Sequence, residues 1–349
     1  MPRRVGRWYQ YTGAVHIHTT ESDGTKPLEE VVEIGRQVGL EFMMFSDHMN
    51  LANREAGKEG FYGDTLVTVG YEHNDLIEHH HYLLFGSPRV YPDDWAPTQY
   101  VAQGAADGAL GIIAHPDEVR DALEDHPPYP WSDWSVEGYS GIEIWNQMSE
   151  WTEKLTRFNK LFHVFSPRKS IVGPPRTTLD RWDSVSLARP CVGIAAVDAH
   201  GFGIKAGPFT VRVFPYKVHF RTLRCYVLLP EEMSRDLTTA KQQLYDAFRG
   251  CRLFSANVRW GGADDFRFTA TAGDETVTCG GELPLQTDTR LNATLPSRAT
   301  LRLVRNGEAI LEADCDRIEY RVDSPGVYRV EVWKNRHGWI FSNHVRVRA

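Results

Sequence analysis

The chain is expected to be an α/β protein with a smaller all-β segment at its C-terminal end. Two observations lead there. Up to about residue 260, short apolar runs alternate with stretches of helical periodicity, which argues for a mainly parallel sheet or a β/α barrel. After Trp260 the helical periodicity stops and short alternating runs follow at close spacing, as in a β-sandwich.

The elements can be placed in order. Residues 13–19 read as a strand. Residues 27–38 carry apolar side chains at helical spacing, with Thr25 as the expected N-cap, Pro27 early and Gly39 as the stop. Strands are expected at 41–46, 65–72, 82–85, 111–114, 141–145 and 192–197, and helices at 97–107, 150–163 and 237–249. Gly261-Gly262 reads as a linker, dividing a domain 1–261 from a sandwich-like (Ig-like) domain 262–349. The latter has strands near 266–271, 275–278, 290–295, 300–305, 327–333 and 344–347, with Asn306-Gly307 and Pro325-Gly326 as turns.

Composition narrows the function. With 349 residues, 42% hydrophobic and 24% charged, the chain has ordinary globular composition. A formal net charge of −7 argues against non-specific nucleic-acid binding, which needs a basic footprint. No apolar run reaches the length of a membrane span, and no apolar stretch follows the basic N-terminal residues, so neither a membrane protein nor a secretory signal is expected. The five cysteines are scattered without a CxxC pair. They read as free thiols of a cytoplasmic protein.

Of the fourteen histidines, nine lie before residue 130. His16-Ile-His18 lies on a strand, where residues two apart share a face, so both imidazoles are expected on one side, with Val15 and Ile17 turned toward covering helices. Asp23 follows in a Ser-Asp-Gly turn. Asp47-His48 ends the next strand, Glu72 the one after, His115 another and Asp198-Ala-His200 the last. Each stands where an apolar run stops, at the sheet edge where barrel sites are built. In the run His79-His80-His81, only His81 is held by a following strand, so it is the expected ligand; His79 and His80 are expected to face solvent. Histidine nitrogens and carboxylate oxygens without thiolate suit Zn²⁺, Mn²⁺ or Fe²⁺ and do not choose among them. Asp47, Asp117, Glu118 and Glu143 are candidates to orient the imidazoles. Trp145-Asn146 stands at a strand end that either lines the pocket or packs in the core. Arg176 and Arg181, in a basic stretch before the strand that carries Asp198, are the candidate substrate contacts.

Taken in order, these positions resemble the PHP (polymerase and histidinol phosphatase) superfamily of metal-dependent hydrolases over about residues 11–260, and more loosely its CehA/McbA-type subgroup with an appended β-domain. The resemblance implies a distorted barrel, usually of seven β/α units. It implies His16, His18, Glu72 and Asp198 on a first metal, and Glu72 bridging to a second that His81 and His115 also hold. Asp23, His48 and His200 would hold a third. His48, Asp198 and His200 are expected to take part in the catalysis itself. The implied activity is hydrolysis of a small-molecule phosphate ester by a metal-bridging hydroxide, with two or three divalent ions as cofactors. The same centre would also serve a carboxylic or carbamic ester hydrolase or an amidase. A non-catalytic scaffold is disfavoured because every ligand position is filled.

Overall fold

A computed structural model describes residues 3–77, 79–120, 127–156, 159, 163, 165–206, 209–212 and 214–349. The N-terminal part carries strands β1 (Arg3–Val5), β2 (Trp8–Ile17), β3 (Phe42–His48), β4 (Gly60–Tyr62), β5 (Thr65–Asn74), β6 (His81–Phe85), β7 (Leu110–Ile113), β8 (Gly141–Asn146) and β9 (Val192–Ala196). A hairpin β10 (Gly203–Ala206) and β11 (Phe209–Arg212) follows, then β12 (Leu223–Leu229) and β13 (Leu253–Asn257). β2 pairs in parallel with β3, β3 with β5, β7 with β8 and β8 with β9. Beyond β9, the amides of Val197 and Ala199 donate to the carbonyls of Val15 and His16, and a parallel bridge joins Ile17 to Ala199. The chain after β9 therefore lies beside β2 again. β12 pairs antiparallel with both β2 and β13.

The sheet is less uniformly parallel than expected. β6 runs antiparallel to both β5 and β7. Only residues 75–80 join β5 to β6, too few for the crossover that a parallel pair requires.

One buried cluster draws side chains from one face of β2, β3, β5, β6, β7, β9 and β12, including Val15, Met44, Leu66, Phe85, Ile112 and Ile194, and helix Leu237–Arg249 adds Leu244 and Phe248. Asp236 caps that helix, its carboxylate accepting from the Thr239 amide at 2.8 Å. The opposite face packs on helices Leu28–Gln37, Pro97–Ala106 and Arg176–Ala188.

Three local expectations need correction. Thr25 caps no helix: its hydroxyl donates to the carbonyls of His200 and Gly201, at 3.1 and 2.9 Å, tying the Asp23 turn to the segment after β9. The helix expected from 150 starts earlier, as Gln147–Glu153, because the Asn146 side chain accepts from the Ser149 amide at 2.9 Å. Residues 157, 158 and 160–162 of the expected span lie outside the described residues, as does His126. Val15 and Ile17 enter different clusters, Val15 with the strand side chains and Ile17 with the helices. The β2–β3 register slips between them, so His16 is an extra residue at a bulge.

After Trp260 the described residues contain no helix. They form β14 (Arg267–Ala272), β15 (Glu275–Thr278), β16 (Glu282–Pro284), β17 (Arg290–Arg305), β18 (Glu308–Arg321), β19 (Gly326–Lys334), β20 (His337–Ser342) and β21 (Val345–Arg348). The two strands expected at 290–295 and 300–305 are one strand, β17, whose register with β18 shifts between Thr294 and Ala299. Pro296 lies in that break, where proline is tolerated in a sheet. β20 pairs with β13, and the Asn343 side chain bonds the Gly193 amide and carbonyl at 2.8 and 2.9 Å. The cysteines are all free.

Candidate metal centre

Strand alternation places the first members. On β3, Phe42 and Met44 share the inner cluster, so Ser46 and His48 continue that face while Asp47 points away. On β5, Glu72 and Asn74 follow Leu66 at even spacing. His48 stands directly opposite Glu72 in the parallel register, and Asn74 opposite His81 in the antiparallel one. His16, His115 and Asp198 have φ of 69°, 23° and 49°. Three non-glycine residues in this sparsely populated region at one spot show backbone bent to aim side chains.

The nine residues converge. Glu72 is buried at the middle. Its Oε2 lies 3.0 Å from His16 Nε2, 3.3 Å from His18 Nε2 and 3.2 Å from His48 Nδ1. Its Oε1 lies 2.8 Å from His81 Nδ1 and 3.2 Å from His115 Nε2. Asp198 Oδ1 stands 3.5 Å from His16 Nε2 and 3.4 Å from His18 Nε2. Asp23 Oδ2 faces His200 Nε2 at 3.2 Å and His48 Nε2 at 3.6 Å.

Several imidazoles are held from behind. His16 Nδ1 donates to Glu143 Oε1 at 2.6 Å, His48 Nδ1 to Asn74 Oδ1 at 2.8 Å, and His200 Nδ1 to the Asp198 carbonyl at 3.1 Å. With the proton on Nδ1, the Nε2 lone pair of His16 faces Glu72 and Asp198, and those of His48 and His200 face Asp23; these tautomers are assigned from the hydrogen-bond network. His81 is reversed: its Nδ1 faces Glu72, and its Nε2 lies 2.5 Å from the Asn74 side-chain amide. Glu143 also receives the His115 amide at 2.9 Å and Asn146 Nδ2 at 2.8 Å. Asp47 holds the Asp23 turn instead, accepting from the Thr19 amide and hydroxyl and from Ser22 Oγ. Asp117 accepts from the hydroxyls of Thr177 and Thr178. Glu118 lies 3.8 Å from His115 Nδ1 and binds Arg120 and Ser149.

The electrostatics follow from this crowding. Burial alone would raise the Glu72 carboxyl, but His16, His81 and His48 outweigh it and hold it well below the usual range. Burial likewise opposes ionisation of Asp198, yet His16, His200 and His18 keep its carboxyl well below normal. Burial pulls His18 and His115 down, but neighbouring carboxylates, Asp198 and Glu72 for His18 and Glu118 and Glu72 for His115, push both up to about 9. Burial dominates at His81, which is pulled down to about 4 despite Glu72.

The residues fit a cation. His18 is buried and neither ring nitrogen has a hydrogen-bond partner among the described residues. A buried imidazole amid three carboxylates, with neither nitrogen hydrogen-bonded, is costly unless an ion takes its lone pair. Three overlapping groups have donor atoms within 4.8 Å of one another: His18, Asp23, His48 and His200; His16, His18 and Glu72; and His48, Glu72 and His81. These divide the residues differently from the sets implied by the resemblance. His48 joins Glu72 and His81, while Asp198 and His115 touch the cluster at 3.2–3.5 Å without entering a group.

Other expectations meet a mixed outcome. His79 is exposed, but His80 is buried, bonded to Ser132 and 4.7 Å from the Trp131 ring. Trp145 is a core residue whose indole donates to Glu150, whereas Asn146 lines a cleft beside His115. Arg176 pairs with Asp180, donates to the Gly307 carbonyl and is 58% exposed. Arg181 lies 4.0 Å over the Trp134 ring. Among the described residues, a cation whose contacts do lead to the cluster is Arg120. It pairs with Glu118 at 2.5 Å and lies 5.6 Å over the Tyr129 ring, which in turn stacks on His81 at 4.6 Å. Sequence reasoning missed Arg120, in a segment without periodicity, and Asn74, which two-residue spacing from Glu72 would have flagged.

No family model matches the chain, and no curated protein is similar to it at a significant level. Among solved structures, the chain is similar to a Bacteroides vulgatus two-domain protein described as containing a predicted PHP-like metal-dependent phosphoesterase. That alignment has 12% identity and a TM-score of 0.47, and covers 99% of this chain and 97% of the other. It is also similar to a Bifidobacterium adolescentis protein assigned by inference as a metal-dependent phosphoesterase, at 14% identity and a TM-score of 0.34, covering 56% of this chain and 89% of the other.

Proposed function

We propose that this chain is a metal-dependent phosphoesterase of the PHP type, with the CehA/McbA-type subgroup as its nearest kin. The observation that carries the reading is that buried His18 makes no hydrogen bond through either ring nitrogen although Glu72, Asp198 and Asp23 stand within 3.6 Å of it. On this reading the circuit of pairings from β2 to β9 and back to β2 is the distorted barrel, and the strands after Trp260 are the appended sandwich-like domain.

Glu72 offers one oxygen to His16, His18 and His48 and the other to His81 and His115, so it is the carboxylate able to join two ion positions. Two or three divalent ions here, zinc, manganese or iron, would supply a water of lowered pKa and positive charge facing the phosphoryl oxygens. Glu143, Asn74 and the Asp198 carbonyl keep the imidazoles turned inward. Arg120 supports the phosphate reading, since a phosphoester wants a charge-assisted donor beyond the ions. His48, Asp198 and His200, at the Asp23 side of the cluster, are the proposed groups for handling protons of water and leaving group.

The test is a substrate comparison on metal-loaded protein. Phosphate esters should turn over, a chelator should abolish turnover, and millimolar inorganic phosphate should compete. Faster hydrolysis of naphthyl carboxylic or carbamic esters, with no inhibition by phosphate, would replace the phosphoester reading by the carbonyl one.

A further inference from the structure

The three overlapping groups of donor atoms are not alike. Two of them are built on Glu72, whereas the group of His18, Asp23, His48 and His200 does without it. This group is also the most open. The Asp23 side chain is 48% exposed and that of His48 27%, against 1% for Glu72. Asp23 is carried by the turn that follows His18, so the placement of that turn decides whether the group closes.

A buried hydroxyl places the turn. Tyr216 opens the short helix Tyr216–His219 and is 1% exposed. Its hydroxyl donates to the His18 carbonyl at 2.9 Å and accepts from the Thr25 amide at 3.1 Å. It thus spans the Asp23 turn from the residue where it leaves β2 to the residue where it ends. The Thr25 amide also reaches the His200 carbonyl at 2.9 Å, and Thr25 Oγ1 holds the carbonyls of His200 and Gly201. A Cβ on Gly201 would come within 2.5 Å of the Tyr216 ring and 2.7 Å of Thr25 Oγ1, and φ there is 69°, so the close approach requires glycine. Burial pushes the Tyr216 phenol up to about 12, which keeps its proton in place as a donor at neutral pH.

We propose that Tyr216 is a positioning residue for one ion. By bridging His18 and Thr25 it holds the Asp23 turn against His48 and His200, so that an outer ion position closes separately from those built on Glu72. The outer ion is the last to bind and the first to leave. This deepens the metal-dependent reading and rests on it for the ions, but not on the choice between phosphate and carbonyl esters.

In the experiment the full chain is loaded with zinc and titrated with a competing chelator, and metal per chain is counted at each step. Wild type should give up one equivalent first and the remainder under stronger competition. Tyr216→Phe keeps the ring and removes the hydroxyl. It should weaken that first equivalent about tenfold, the lower end of the cost of losing a partner behind a ligand, and leave the rest in place. Thr25→Val should act in the same direction, and Thr25→Ser should restore the wild-type curve. Glu143→Gln should weaken the ions held at Glu72 and spare the outer one. A first step that does not move in Tyr216→Phe, or both steps moving together, overturns the proposal, as does loss of every ion from wild type in one step. Should Tyr216→Phe fail to fold, the Thr25 pair decides: identical curves for Thr25→Val and Thr25→Ser overturn it. A wild-type chain that takes up no metal at all ends the metal reading, and this inference with it.

Discussion

Glu143 Oε1 accepts the Nδ1 proton of His16 at 2.6 Å, and the opposite edge of the same ring faces Glu72 and Asp198 at 3.0 and 3.5 Å. The bond sets both the tautomer and the tilt of the ring, because a buried imidazole with one anchored nitrogen has a single lone pair to offer. Glu143→Gln keeps the shape and loses the charge. It should lower metal affinity about 10- to 100-fold, the usual cost of losing such a partner. A chelator-competition titration measures this directly, and an unchanged affinity would mean that Glu143 serves the His115 amide alone.

His81 and His79 should differ sharply. His81 faces Glu72 at 2.8 Å and is held by Asn74, whereas His79 is exposed, its amide donating to Asp75 and its ring 6.3 Å from that of Tyr129. His81→Ala should cost one metal equivalent or a large part of its affinity, and His79→Ala should leave metal content as it is. Metal counts on the two variants decide it; the reverse result would show that β6 is out of register.

The buried pair Asp183–Arg329 predicts acid sensitivity. Both guanidinium-to-carboxylate bonds are short, at 2.6 and 2.7 Å, and His344 adds a third at 2.7 Å. Burial would raise the Asp183 carboxyl, but Arg329 and His344 outweigh it and bring it down to about 2. A depressed carboxyl stabilises the fold above its unfolded value near 3.8 and loses that contribution as the pH falls through about 2. A shift of this size corresponds to about 2–3 kcal/mol. Urea midpoints between pH 5 and pH 2 should therefore fall more steeply for wild type than for Asp183→Asn; parallel slopes would refute the linkage. At neutral pH, Arg329→Met strands the carboxylate and should cost about 3–5 kcal/mol.

That pair joins helix Arg176–Ala188 to β19, across the proposed boundary at Gly261-Gly262. We propose that the boundary separates two units of sequence that are not independent in stability. A fragment 1–261 would leave the edge of β13 without β20 and Asp183 without Arg329. It should unfold at lower urea than the full chain, and, if it folds, still bind metal through residues that all precede 261. A folded fragment without metal binding would place part of the centre in the C-terminal strands.

Much of this centre was legible because strand alternation is a strong signal. His48 and Glu72 follow the apolar side chains of their own strands at even spacing, and the structure puts them side by side. His16 reaches the cluster for a different reason. Simple alternation pairs it with His18, but the register slip at His16 turns Val15 and Ile17 to opposite faces, and bulges leave little trace in sequence. His80 was misjudged because its burial depends on Ser132 and Trp131, some fifty residues away. Arg120 was missed for the same reason: its place over Tyr129, the ring that stacks on His81, is set by Tyr129 and Glu118, not by periodicity.

The central claim is that the buried histidines and carboxylates hold metal, and metal analysis of the purified full chain tests it most directly. At least two equivalents of zinc, manganese or iron per chain are expected, with a loss of one or more in the double variant His16→Ala, His18→Ala and loss of ester hydrolysis as the metal leaves. A metal-free preparation that retains full activity would contradict the account.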